Sequence, residues 1–204
     1  MPAPVALACV VGFHEGSAPV PAKVAEAQRA VADGADELDV VLNRAPLVAG
    51  ALEDVFAELR ALRHAAGEEV LLKLILETSQ LAPELVVAAC VLAGYAGCDF
   101  VKTSTGFCGR GASVDDVLLM SAVAEYLERQ GVGRRDGEGR LVRMKVKASG
   151  GIRSYVDAVK MIEAGAQRIG TSSGIEIVQE EKEAAVGGEK STGTDAASKG
   201  ENDY

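Results

Sequence analysis

Residues 146–174, VKASGGIRSYVDAVKMIEAGAQRIGTSSG, decide the fold. An apolar run of strand length ends at Ser149, and Gly150 and Gly151 then break it. Residues 154–165 follow with apolar positions at helical spacing, closed by Gly165. A second short apolar run, 168–172, leads into another turn of small residues. Strand, glycine turn, helix, strand, glycine turn is the order of a βαβ unit, whose two strands lie parallel.

Working outward, the same grammar recurs along the chain. VALACVVGF (5–13) is a continuous apolar run of the kind found in strands covered on both faces. An alanine-rich helical stretch over 20–34 closes on Gly34. Strands are expected over 37–43, 70–78, 99–104 and 142–149, with helices over 51–65, 82–95 and 113–130 between them. Ser113 reads as an N-cap, and Asp115 and Asp116 place acids where the helix dipole favours them. A last helix is expected from Ser173. Six βα units in series imply a parallel sheet flanked by helices. The count alone fits either an open doubly wound sheet or part of a closed barrel, which needs eight. The glycine-rich, charged segment 131–140 reads as a solvated loop.

The bulk properties narrow the function. With 204 residues and 48% apolar content the chain can form one domain with a sizeable core, expected over 1–183. The polar remainder, 184–204, is expected to be a disordered tail. A formal charge of −9 argues against nucleic acid or a membrane surface as partner, since both demand clustered basic residues. Cys9, Cys90, Cys98 and Cys108 show no metal-binding spacing, and only His14 and His64 accompany them, so no metal or cofactor is expected. The thiols read as reduced and the setting as cytoplasmic. The first residues lack a basic n-region, and their apolar run is too short to span a bilayer. His14 and His64 read as loop and helix-surface residues.

The strands that should be most buried each carry charge. Residues two apart share a strand face, so Asp39 sides with Glu37, and Lys73 with Glu77. Likewise Lys102 sides with Phe100, and Lys147 with Lys145 and Ser149. Four charged strands in a row point to a polar interior, as at the mouth of a barrel where functional groups come from strand C-terminal ends. Lys73 and Glu77 are read as an interior ion pair. Lys102, in CDFVKTSTGF (98–107), could by itself be a strand-end lysine snorkelling to water. The adjoining TSTG turn and a second lysine motif reverse that reading. The turns at 148–153 and 170–174 expose backbone N–H groups ahead of helices, an arrangement suited to an anion such as phosphate.

GADELDVVLN, LLKLILETSQL, GCDFVKTSTGF and the opening segment, in that order, resemble the deoxyribose-phosphate aldolases over about residues 5–180. The resemblance implies a (β/α)8 TIM-barrel fold of which this chain holds six βα units. It implies a class I aldolase that needs no metal and cleaves 2-deoxy-D-ribose 5-phosphate to D-glyceraldehyde 3-phosphate and acetaldehyde. It implies Lys102 as the Schiff-base lysine, Lys147 as a second active-site lysine and Asp39 as the acid that works with it. The phosphate would lie against Gly106, Gly150, Gly151, Arg153, Gly170, Ser172 and Ser173, with Phe107 a variable lining residue. Tyr204 matches the terminal tyrosine that reaches the active site in some members. The implied partner is a small sugar phosphate, and a homo-oligomer is left open. The family ordinarily carries two more βα units ahead of the point matching Val5. A remnant that at most binds sugar phosphate is therefore the competing expectation.

Overall fold

The computed structural model describes residues 5–189. Its elements are β1 (Ala8–Val11), α1 (Val20–Ala32), β2 (Glu37–Val41), α2 (Arg44–Val48), α3 (Leu52–Ala66), β3 (Leu71–Ile75), α4 (Pro83–Ala96) and β4 (Phe100–Lys102). There follow α5 (Val114–Arg129), β5 (Arg134–Arg135), β6 (Leu141–Val142), β7 (Lys145–Ser149), α6 (Tyr155–Glu163), β8 (Arg168–Gly170) and α7 (Gly174–Glu189). Six strands form one all-parallel sheet in the order β1-β2-β3-β4-β7-β8, while β5 and β6 make a small antiparallel hairpin. This is a partial (β/α)8 barrel, curled and open on one side.

One ion pair shows the curl. Arg168 on β8 and Glu37 on β2 stand four strand positions apart, about 19 Å across a flat sheet. Their side chains nevertheless meet at 2.5 Å, so the concave face must bend inward. Strand alternation separates the two faces. Leu38, Val40, Leu72, Leu74, Val101, Val146 and Ala148 pack outward with Leu59, Leu62, Ala89, Ala93 and Met120 of the helices in one buried cluster. The opposite parity carries the charged residues. Helix α4 is apolar nearly all round because α3 and α5 flank it. A side chain at Gly94 would meet Leu127 Cδ1 at 2.7 Å, so glycine sets the closeness of α4 and α5. Ser113 and Ser154 cap α5 and α6 by accepting hydrogen bonds from Asp116 N and Asp157 N.

The structure adds α2 and the β5–β6 hairpin, which takes up the end of the segment read as a loop and Val142, so the strand expected from 142 begins at Lys145. Asn43 caps α2 by accepting from Ala45 N. The hairpin turn is closed by Asp136, whose carboxylate accepts from the N–H groups of Glu138 and Arg140. Helix α7 runs from Gly174 to Glu189, and its segment EEKEAA (180–185) is rich in strong helix formers. The rest of the stretch expected as a tail, with Tyr204, lies outside the described residues. Among the described residues, strands β1 and β8 end the sheet, each paired on one side only. Val5, Leu7 and Val10 are exposed beside β1, and Ile175 and Val178 on α7. Among the described residues no helix is long and apolar enough to cross a membrane.

One internal charge anchors the β1 side. Lys23, fully buried on α1, donates to the carbonyls of Val41 (2.6 Å) and Gly16 (3.3 Å) and pairs with Glu58 on α3. Removing one partner of such a pair strands a buried charge. Glu58→Ala should therefore cost about 3–5 kcal/mol in chemical denaturation. Asp33→Ala, which removes a solvent-exposed pair with Arg29, should cost at most about 0.5 kcal/mol. Similar losses for both would contradict this account of the fold.

Candidate active site

Asp39 sits at the centre of the concave face. It is buried, and its Oδ1 accepts from Lys73 Nζ at 2.7 Å. Its Oδ2 accepts from both Lys102 Nζ (2.8 Å) and Lys147 Nζ (2.7 Å). Three lysines from three strands thus converge on one carboxylate. The register explains how. Asp39 lies beside Lys73 across β2–β3, and Lys102 beside Lys147 across β4–β7. Lys73 is level with Phe100, so Lys102 stands two residues farther toward the strand ends. The cluster therefore occupies two adjacent layers, as in barrel interiors.

Glu37 extends the network downward, accepting from Lys73 (2.7 Å) and Arg168 (2.5 Å). Arg168 also lies over the Phe100 ring at 4.9 Å, with the exposed Lys145 at 5.8 Å from the same ring. Four cations face two carboxylates in this interior. Burial would raise the Asp39 pKa, but Lys102 and Lys73 beside it overcome that and hold the carboxyl far below its ordinary range. Glu37 shows the same contest: burial would raise it, and Lys73 and Arg168 hold it below its usual value. Lys147 moves down, chiefly because burial disfavours its charged form, with Lys102 and Lys73 adding repulsion against the pull of Asp39.

Above this cluster opens a cavity of about 460 Å³, lined by Lys102 and Lys147 at its floor. Gly106, Gly150, Gly151, Arg153, Gly170 and Ser172 line it as well. Ser173 does not; its N–H donates to Thr171 Oγ1 at 2.9 Å, folding it into the turn that precedes α7. Gly170 is there for space: a side chain would meet Lys147 Cε at 3.1 Å and Ser149 Cβ at 2.8 Å. Gly150, at φ +87°, brings its turn against Ser104 and Gly111, where a side chain would crowd both.

Thr105 and Thr171 also line the cavity, and sequence reasoning had not singled them out. Thr171 Oγ1 donates to Ile152 O at 2.6 Å and ties the two glycine turns together. Thr105 donates from its N–H (3.0 Å) and its hydroxyl (2.5 Å) to Glu77 Oε2. That contact corrects the expected Lys73–Glu77 pair. Glu77 lies beyond the end of β3 in a left-handed conformation, φ 57°, so strand alternation no longer governs its direction. Lys73 turns instead to Asp39 and Glu37, and Glu77 holds the loop after β4. Phe107 lines the cavity as expected, stacked on His14 at 5.6 Å. His64 is exposed on α3, whereas His14 comes close to Glu15 and Cys108, three potential metal ligands that sequence spacing did not suggest. Cys90 and Cys98 are buried, which pushes their thiols up to about 12.

Comparison with known proteins fits this geometry. The profile of the DeoC/LacD family aldolases matches residues 6–180. The deoxyribose-phosphate aldolase of Coccidioides immitis is 49% identical over 176 residues, covering 86% of this chain and 61% of that protein. The chain thus spans about three fifths of that relative's length. The deoxyribose-phosphate aldolase of Caldicellulosiruptor saccharolyticus is 44% identical over 180 residues, 87% of this chain and 74% of that protein. The tetrameric deoxyribose phosphate aldolase of Aeropyrum pernix superposes with a TM-score of 0.72 at 33% identity, covering 88% of this chain and 69% of that one.

The shared carboxylate sets a stability test. Asp39→Asn removes the one charge three ammonium groups share and should destabilise by about 3–5 kcal/mol in denaturant unfolding. Linkage gives the pH dependence. Because the folded pKa of Asp39 is depressed, its contribution is full above about pH 4 and disappears as pH falls toward the folded value. The gap between the wild type and Asp39→Asn should therefore narrow below pH 4. A gap that stays constant down to pH 2 would contradict the assignment. Lys147 acts in the opposite range: with its folded pKa lowered, stability rises with pH between that value and about 10.4. Lys147→Met should flatten that rise.

Proposed function

Because the chain belongs to the DeoC/LacD aldolase family, we propose that it is a class I aldolase cleaving 2-deoxy-D-ribose 5-phosphate through a Schiff base on Lys102. The observation that carries this reading is the shared carboxylate: Lys102 and Lys147 both touch Asp39 Oδ2 beneath a cavity edged by two glycine turns. An amine nucleophile must be neutral, and bringing a lysine from about 10.4 to near 7 takes roughly 4–5 kcal/mol at 1.36 per unit. Two ammonium charges about 5 Å apart repel by roughly 3 kcal/mol at an effective dielectric near 20. One carboxylate oxygen cannot neutralise two such neighbours, and burial together with this repulsion lowers the pKa of Lys147. Asp39 touches both amines and offers the path along which a proton moves between them.

The chemistry then follows. Lys102 Nζ attacks C1 of the open-chain sugar, and loss of water leaves an iminium. The C3 hydroxyl gives up its proton to the Asp39–Lys147 pair, through water, as the C2–C3 bond breaks. The bonding electrons move into the iminium, forming an enamine on Lys102 and releasing D-glyceraldehyde 3-phosphate. Protonation at C2 and attack by water release acetaldehyde and restore the amine. The phosphate lies against Gly106, Gly150, Gly151, Arg153, Gly170 and Ser172. Ser173 belongs to that set only through the turn it closes. Remote phosphate binding positions the reacting bond. Lys73, Glu37 and Arg168 hold Asp39 rigid from below. The tetrameric state of the Aeropyrum pernix protein supports an assembly of several copies here.

A second reading has its own observation. Among the described residues, strands β1 and β8 are paired on one side only, which favours a chain that binds sugar phosphate without turning it over. Borohydride reduction in the presence of acetaldehyde separates the two. The wild type should gain a two-carbon adduct on the peptide containing Lys102. Lys102→Arg should gain none, and Lys147→Leu should stay folded while losing at least about 100-fold in turnover, the scale of a lost acid–base group. An adduct surviving Lys102→Arg would refute the nucleophile, and a folded wild type without any adduct would favour simple binding.

A further inference from the structure

Outside the lysine cluster, one set of side chains is arranged for a task the aldolase chemistry leaves unused. His14 and Glu15 lie on the loop after β1, and Cys108 on the loop after β4. Cys108 Sγ stands 3.8 Å from His14 Nδ1 and 3.8 Å from Glu15 Oε1, and those two atoms are 2.8 Å apart. A zinc ion with bonds of roughly 2.0–2.3 Å in tetrahedral geometry holds its ligands about 3.3–3.8 Å from one another. Both sulfur distances lie at the upper end of that range, and the nitrogen–oxygen pair needs to open by about half an ångström. We propose that His14, Glu15 and Cys108 form a binding site for a zinc-class divalent ion that ties the β1–α1 loop to the β4–α5 loop at the cavity mouth.

The donor set selects the metal class. A thiolate with an imidazole and a carboxylate suits zinc or cobalt, whereas magnesium and calcium take oxygen ligands. Three protein ligands leave a fourth position for water or another ligand. Each ligand is also held by a second contact, as metal ligands commonly are. The His14 ring lies flat on Phe107 with an interplanar angle of 4° and meets Phe13 edge-on. Glu15 Oε2 accepts from Arg44 at 3.3 Å, which leaves Oε1 toward the other two donors. The Cys108 carbonyl accepts from Ser79 Oγ at 2.9 Å. Arg44 is the cation nearby, and a carboxylate with a thiolate outweighs it. His14 and Glu15 are accessible to solvent, with side-chain exposures of 44% and 57%.

The position gives the site a consequence. β1 and β4 are separated in the sheet by β2 and β3, so the ion would span the mouth of the half-barrel. It would fix Phe107, which lines the cavity and neighbours Cys108. The proposal does not depend on the identity of the aldolase substrate.

The test uses the full chain, stripped with chelator and titrated with zinc by calorimetry and with cobalt by absorbance. One equivalent should bind with micromolar affinity or better. Cobalt should give a thiolate charge-transfer band, retained in Cys9→Ser and absent from Cys108→Ser. Cys108→Ser and His14→Ala should each weaken zinc binding at least tenfold. In the wild type, zinc should slow alkylation of Cys108 at least tenfold without slowing that of Cys9, a readout that needs no variant to fold. Absence of stoichiometric binding, survival of the band in Cys108→Ser, or unprotected Cys108 would overturn the proposal.

Discussion

Everything in this molecule's interior turns on a single carboxylate shared by three amines. Asp39 on β2 receives Lys73 from β3, Lys102 from β4 and Lys147 from β7. Such a hub exists only if the sheet curls, because strands three positions apart in a flat sheet put their side chains beyond reach of one another. The hub and the curl therefore need each other. The outward faces of the same strands supply the cohesive energy through an aliphatic core with the helices, and the inward faces accept the cost of buried charge. Segregating these two roles onto alternate residues lets one short strand serve both stability and chemistry.

Buried ion networks are poor stabilisers, since desolvation consumes most of the Coulombic gain. Here the imbalance of four cations over two carboxylates suggests a use for that cost. A surplus of positive charge in a poorly hydrated interior favours the release of a proton, and the lowered pKa of Lys147 at the floor of the cavity is the sign of it. Glu37 and Arg168 belong to this arrangement although they do not line the cavity. Arg168 braces Glu37, Glu37 holds Lys73, and Lys73 in turn holds one oxygen of Asp39 so that the other is left to Lys102 and Lys147.

Much of this could be read from the chain before any coordinates. Continuous apolar runs alternating with helical spacing foretold all six parallel strands, and the shared parity of Asp39, Lys102 and Lys147 foretold a common face. Strand register was not legible, because it depends on how neighbouring strands slide. The roles of Lys73, Glu37 and Arg168 were hidden with it. Extending strand parity through Glu77 misdirected that residue, since one left-handed backbone step ended the alternation. The meeting of His14 with Cys108, 94 positions apart, is a product of the curl and leaves no local signature. Ser173, matched to the phosphate set by resemblance, stands outside the cavity lining with its N–H turned to Thr171 Oγ1.

The charge balance around Asp39 can be followed at the lysine side-chain nitrogens through a pH titration by nitrogen-15 nuclear magnetic resonance. In the wild type one amine, that of Lys147, should lose its proton below the free-lysine value of about 10.4. That early step should vanish from Lys147→Met, where one contributor to the surplus charge is gone. Lysines that all titrate together near 10.4, with no change in that variant, would contradict this account of the charge balance.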